Sequence, residues 1–166
     1  MQSVGTLYFF CGKMGAGKST YSGTLAQEKN AVLLSEDEWL TALYPNQINS
    51  FDDYLMFSRR MKPLVHDHVQ RILKAGTNVV LDFPANTQTQ RKWFVELANL
   101  ISASHKLIFL DRSDARCLRQ IAQRRLAIPE RQAFDTEEMF NHVSAYFEAP
   151  SEEENLNIHT ICDGDT

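Results

Sequence analysis

"GKMGAGKST", residues 12–20, is the stretch that decides the fold of this chain. Gly12, Gly17, Lys18 and Ser19 match the spacing G-x-x-x-x-G-K-[ST]. The apolar run "LYFF" precedes the motif and a helix-compatible stretch follows it, which is the strand-to-helix context a phosphate-binding loop requires. Glycines let backbone N–H groups turn inward onto phosphate oxygens with no Cβ in the way, and a helix N-terminus adds favourable partial charge. The motif implies that Lys18 reaches the β- and γ-phosphates of a nucleoside triphosphate and that the Ser19 hydroxyl ligates Mg²⁺. Met14, Gly15 and Ala16 complete the loop surface, and Thr20 follows on the helix beside the nucleotide. A Gly-rich turn without chemistry is the alternative, and the flanking strand and helix argue against it.

Working outward, apolar strand signals fall at 6–10, 31–34, 78–81, 105–110 and 156–161, and helical signals at 18–28, 36–43, 51–75, 88–101 and 136–147. Short apolar strands alternating with helices predict a doubly wound α/β domain whose parallel strands are buried on both faces. In the long helical stretch Met61, Val65, Val69 and Ile72 form one apolar stripe, and Pro63 predicts a kink or restart. Thr87 with Gln90, and Asp135 with Glu138, read as capping boxes. The 166 residues, 43% hydrophobic with net charge −4, suit one domain over 1–166 with a full core. No apolar run spans a membrane and no signal segment is visible, so the expectation is a cytoplasmic protein with no membrane partner. The three cysteines lack metal spacing and read as reduced thiols.

Two acids carry the next step. Asp37 in "LLSEDEWL" sits just beyond the second strand, at the same sheet edge as the loop, where a carboxylate can take a proton from an attacking hydroxyl. Glu36, Asp37 and Glu38 equally suit the first turn of a helix capped by Ser35, and three adjacent acids leave the base open on local pattern. Asp82 ends the apolar run "VVLD" in the manner of a Walker B residue, which holds Mg²⁺ directly or through water, and is the candidate metal residue beside Ser19; a plain strand-end acid is the alternative. Asn86 and Arg91, in the following turn and helix, are candidate substrate contacts. The segment "DRSDARCLRQIAQRRLAIPERQ" carries six arginines. Arg124 and Arg125 are the candidates for charge stabilisation at transfer, with Arg119 next as a nucleotide contact, in a lid over about 112–135. His66, His68, His142 and His159 show no metal pattern and read as core or surface.

In order, "FFCGKMGAGKST", "LLSEDEW", "VVLDFPANT", "LRQIAQRRL" and "FEAPSEEENLNI" resemble the small P-loop kinases grouped with the kinase domain of polynucleotide kinase, chloramphenicol phosphotransferase, gluconate kinase and zeta-type toxins. The resemblance covers nearly the whole chain. It implies a three-layer fold with a five-stranded parallel sheet of order 2-3-1-4-5, ATP as donor, Mg²⁺ and a hydroxyl acceptor. It also implies that Asp37 is the general base and that Arg124 and Arg125 occupy phosphate-contacting lid positions. Where polynucleotide kinases of this type carry an arginine that helps hold the substrate phosphate, three residues after the base, this chain has Leu40. With Trp39 and Tyr44 nearby, the expected acceptor is a small hydroxylated molecule in a partly apolar pocket, with Trp39 among its contacts. A nucleic-acid 5′-hydroxyl is the disfavoured alternative, and a nucleotide-binding switch or bare ATPase the alternative outside the kinases.

Overall fold

The computed structural model describes residues 3–132 and 134–165. β1 (Leu7–Cys11) leads through the phosphate loop into α1 (Lys18–Glu28), and β2 (Ala31–Ser35) runs straight into α2 (Glu36–Leu43). Next come α3 (Phe51–Lys74), β3 (Asn78–Pro84), α4 (Gln88–Asn99) and β4 (His105–Asp111). The chain continues through α5 (Asp114–Ala127), a 3-10 turn at Pro129–Arg131, α6 (Glu137–Ser144), a second 3-10 turn at Glu152–Glu154 and β5 (Ile158–Cys162). The five strands form one all-parallel sheet of order β2-β3-β1-β4-β5, the order the resemblance implied.

Alternation along the strands creates three layers. Leu7, Phe9 and Cys11 of β1 face one core with α3 and α4, while Tyr8 and Phe10 face a second core with α1, α5 and α6. Phe9 and Phe94 stack at 4.5 Å, an arrangement worth about 0.5–1.5 kcal/mol beyond the buried area. The expectation that every strand is buried on both faces holds for central β1 but fails at the rims. β2 exposes Val32 and Leu33, and in β5 only Ile161 is buried, because an edge strand has a neighbour on one side only.

Three local expectations are corrected. α3 is one continuous helix with Pro63 inside it, since Met61, Val65, Val69 and Leu73 pack on the sheet and hold both halves in line despite the lost backbone hydrogen bond. Thr136, not Asp135, caps α6, accepting from the Met139 N–H at 3.1 Å, which leaves the Asp135 carboxylate for another role. Thr87 caps α4 through the Gln90 N–H, but the Gln90 side chain reaches back to the Asn86 N–H at 2.8 Å, one residue before the position a capping box uses.

Candidate active site

The phosphate loop, Asp37 and Asp82 meet at the C-terminal ends of β1, β2 and β3, the edge where doubly wound sheets bind ligands. The phosphate loop turns there because two glycines take backbone angles that other residues resist. Gly15 has φ +81, and a Cβ on it would lie 2.5 Å from the Cys117 carbonyl oxygen. Gly17 has φ +99 and opens α1 with no side chain of its own to cap the helix, so the first N–H groups of α1 are presented toward an anion. Lys18 Nζ donates to the carbonyl oxygens of Gly12 and of Lys13, the latter at 3.2 Å. Burial pulls the Lys18 pKa down, while the charge of Asp82 is among the influences that raise it.

The loop borders a cavity of about 710 Å³. Its floor is residues 13–20, and Asp37 and Asp82 line it together. Ser35 caps α2 by accepting from the Glu38 N–H at 3.4 Å, which fixes the first turn and points Glu36 and Asp37 to the cavity while Glu38 stays outside it. The register between β1 and β3 slips after Phe9 and Leu81, so Phe10 pairs with Pro84. This bulge frees Asp82 and Phe83 from pairing with β1, and such irregularities re-aim side chains beside active sites. Burial raises the Asp82 pKa and the Asp37 charge adds to the rise, while hydrogen bonding from Ser19 and Ser22 and the Lys18 charge oppose it. Ser19 and Asp82 thus present two hard oxygen donors beside the loop, which fits Mg²⁺, a cation that completes its shell with phosphate and water. Among the described residues, no group of three or more His, Cys, Asp or Glu could hold a metal by itself.

Asn86 also lines the cavity, but its Oδ1 accepts the Gly12 N–H at 3.0 Å, so it braces the phosphate loop. Gly12 is buried beneath the loop and contributes through this bond and its carbonyl contact with Lys18. Five other residues singled out in the sequence lie outside the cavity. Arg91 is fully buried, held by Glu154, and cannot reach a substrate. Trp39 packs on the core and on the His68 ring, and Tyr44 stacks on Phe57, because this side of α2 faces α3. Arg119 is exposed on another face of α5, and Arg125 lines a separate depression with Leu118 and Ile121; a helix sends only one face to the cavity, here Gln120 and Arg124.

To the expected Arg124 the structure adds Arg131, Asp135 and one face of α3. Arg124 and Arg131 both grip buried Asp135, with N–O distances of 2.7 and 2.7 Å for the first and 2.8 and 3.2 Å for the second. Burial pushes the Asp135 carboxyl up, but hydrogen bonds from the two arginines outweigh it and hold the group below its usual range. α3 gives the cavity Phe51, Tyr54, Leu55, Ser58, Arg59 and Lys62. These residues recur at helical spacing on the face beside its core stripe, a signal that was present in the sequence. Tyr54 and Ser58 each donate to Glu36, the second at 2.9 Å. Burial raises the Glu36 pKa and these two bonds oppose the rise. His142, read from the sequence as core or surface, stands at the cavity beside Phe51 and Tyr146.

A phosphate loop on β1-α1, facing acids from β2-α2 and β3 across one cavity, defines a P-loop protein of the kinase-like, three-layer type. The chain belongs to the AAA domain family designated AAA_33, whose pattern matches residues 7–150. In fold it is similar to the Mycobacterium tuberculosis APS kinase CysC in complex with AMPPNP and APS: 17% identity, 99% of this chain and 91% of that chain covered, TM-score 0.67. It is also similar to Chaetomium thermophilum Kti12 in complex with ADP-AlF3, at 15% identity, 96% and 90% coverage and TM-score 0.68. A sugar kinase from Janibacter sp. HTCC2649 aligns at 13% identity, 96% and 85% coverage and TM-score 0.58. No curated protein matches the chain in sequence. No helix among the described residues is long and apolar enough to cross a membrane.

Proposed function

We propose that this chain, acting as one domain in the cytoplasm, is an ATP-dependent phosphotransferase that moves the γ-phosphate to a hydroxyl of a small acceptor. The observation that carries the reading is that Asp37, Asp82 and the phosphate loop share a cavity with the α3 face, a wall that nucleotide binding alone does not call for. The loop N–H groups and Lys18 hold the β- and γ-phosphates. Ser19 and Asp82 hold Mg²⁺, which when bound neutralises charge on the phosphate oxygens. Asp37 takes the acceptor's hydroxyl proton as that oxygen bonds to the γ-phosphorus; the bond from the γ-phosphorus to the bridging oxygen breaks, and ADP leaves with the electron pair. Arg124 and Arg131, presented by Asp135, stabilise the charge on the phosphoryl group in transit.

The solved structures support the two-ligand reading, since the APS kinase is complexed with both AMPPNP and APS. A nucleotide switch or bare ATPase needs no acid facing an acceptor wall. The test is where the label goes when γ-labelled ATP is incubated with panels of alcohols, sugars, nucleosides and 5′-hydroxyl oligonucleotides. Label in a small acceptor is the expected result; label only in inorganic phosphate identifies an ATPase, and efficient labelling of oligonucleotide ends identifies a polynucleotide kinase.

A further inference from the structure

Six lysine and arginine side chains line the cavity: Lys13, Lys18, Arg59, Lys62, Arg124 and Arg131. Four already have partners. Lys13 pairs with Asp114 at 2.9 Å, Lys18 with the loop carbonyls, and Arg124 and Arg131 with Asp135. Arg59 and Lys62 form no ion pair among the described residues. They stand three positions apart on α3, so the helix places two like charges side by side on the cavity wall, an arrangement that is unfavourable until an anion joins it.

Glu36, whose charge acts on Lys62, forms no ion pair with either cation among the described residues. Glu36 spends one carboxylate oxygen on Tyr54 and the other on Ser58. Burial lowers the Lys62 pKa, Glu36 pulls it back up, and the neighbouring Arg59 adds to the depression. The ammonium lies over the Trp93 ring, whose centroid is 5.3 Å away. Leu40, which stands where polynucleotide kinases of this type carry a phosphate-holding arginine, is buried in the core and takes no part in the cavity. The cations come from α3 instead.

We infer that the acceptor carries an anionic group, a carboxylate or a phosphate or sulfate ester, and that Arg59 and Lys62 bind it. That the anion belongs to the acceptor rests on the phosphotransferase reading. Tyr54, Ser58 and Lys62 follow one another at four-residue steps, so the Lys62 backbone lies about 6 Å further along α3 than that of Ser58, which contacts Glu36. A molecule with its hydroxyl at Asp37 and its anion at Lys62 therefore has the dimensions of a small metabolite. Two unpaired cations on a chain of net charge −4 suit one anionic group and not a polynucleotide, which draws on many phosphate contacts.

The test reads anion binding directly. The chain has two tryptophans, and Trp39→Phe leaves Trp93, under Lys62, as the sole reporter. This protein, saturated with AMPPNP and Mg²⁺ to fill the phosphate loop, is titrated with glycerol 3-phosphate, sodium sulfate and glycerol while Trp93 fluorescence is followed. The expected result is a saturable response to both anions and none to glycerol, weakened about tenfold or more by Arg59→Ala and by Lys62→Ala, with partial recovery in Arg59→Lys. Lys62→Gln serves if the alanine variant fails to fold. Absence of a saturable response to either anion, or unchanged affinity in the Arg59 and Lys62 variants, overturns the inference. So does tighter binding of a short 5′-hydroxyl oligonucleotide with a steep salt dependence. Anion binding without phosphoryl transfer to any acceptor would reject the phosphotransferase reading and keep the anion site; transfer to neutral alcohols without anion binding would do the reverse.

Discussion

Arg91 and the pair Arg124 and Arg131 are all held by carboxylates, but in opposite ways. Arg91 is wholly buried and gives its donors to both oxygens of Glu154 at 2.7 and 3.1 Å, to the carbonyl oxygens of Ala85 and Ala149 at 3.0 and 3.5 Å, and to Cys11 Sγ at 3.7 Å. Arg124 and Arg131 share the single carboxylate of Asp135, and their side chains stay 31% and 35% exposed at the cavity wall. The first centre ties the start of α4 to the turn before β5 and has nothing to offer a ligand. The second has donors in reserve. An arginine's function here follows from how many of its N–H groups the fold has already taken.

The comparison is broken most readily at Arg91. Arg91→Ala leaves Glu154 half-enclosed and unpaired, and removing one partner of a buried pair costs about 3–5 kcal/mol. Thermal denaturation should show a large fall in Tm, while the folded fraction binds nucleotide as before. A variant that melts like the parent but has lost transfer would move Arg91 into the chemistry. Arg131→Ala should reverse this pattern. Asp135 keeps Arg124, so stability falls less than in Arg91→Ala, whereas transfer drops by about 10²-fold, the scale for losing one charge-stabilising donor.

The smallest effect is on pH dependence. In both centres burial pushes the carboxyl up, and hydrogen bonds led by the arginines hold it below the usual range. A depressed folded pKa contributes stability that is present above the unfolded value, near pH 4, and is lost as pH falls through the folded one. Chemical denaturation between about pH 5 and pH 8 should therefore show no loss at either centre, with the loss confined to pH below about 4. Glu154→Gln and Asp135→Asn should flatten that acid limb. A limb that begins near neutral pH and disappears in either variant would contradict the assignment.

Local spacing made much of this legible in the sequence. The loop and the two acids near strand ends depend on a few adjacent residues and on the strand-to-helix context, and the cavity brings residues 13–20, Asp37 and Asp82 together; the strand order followed from the family resemblance. What failed depends on which way a helix turns. Arg91, Trp39, Arg119 and Arg125 sit on helices whose orientation is set by distant packing, and each faces away from the cavity. The α3 stripe from Phe51 to Lys62 mixes polar and apolar side chains, so its periodicity is masked by the stronger apolar stripe beside it. Asp135 resembles a cap because it precedes a helix, while its partners Arg124 and Arg131 reach it from α5 and from a 3-10 turn that no periodicity announces.

The central claim is that Asp37 is the base and Asp82 the metal-side acid of one transfer site. Its most direct test is single-turnover transfer from γ-labelled ATP to an acceptor identified by the panel, measured with nucleotide affinity in Asp37→Asn and Asp82→Asn. The account predicts that Asp37→Asn binds ATP within a few-fold of the parent and transfers about 10²-fold more slowly or worse, the size of a lost general base. Asp82→Asn should instead weaken Mg²⁺-dependent nucleotide binding. If Asp82→Asn keeps its affinity and loses transfer while Asp37→Asn transfers normally, the two acids have exchanged roles and the account is wrong.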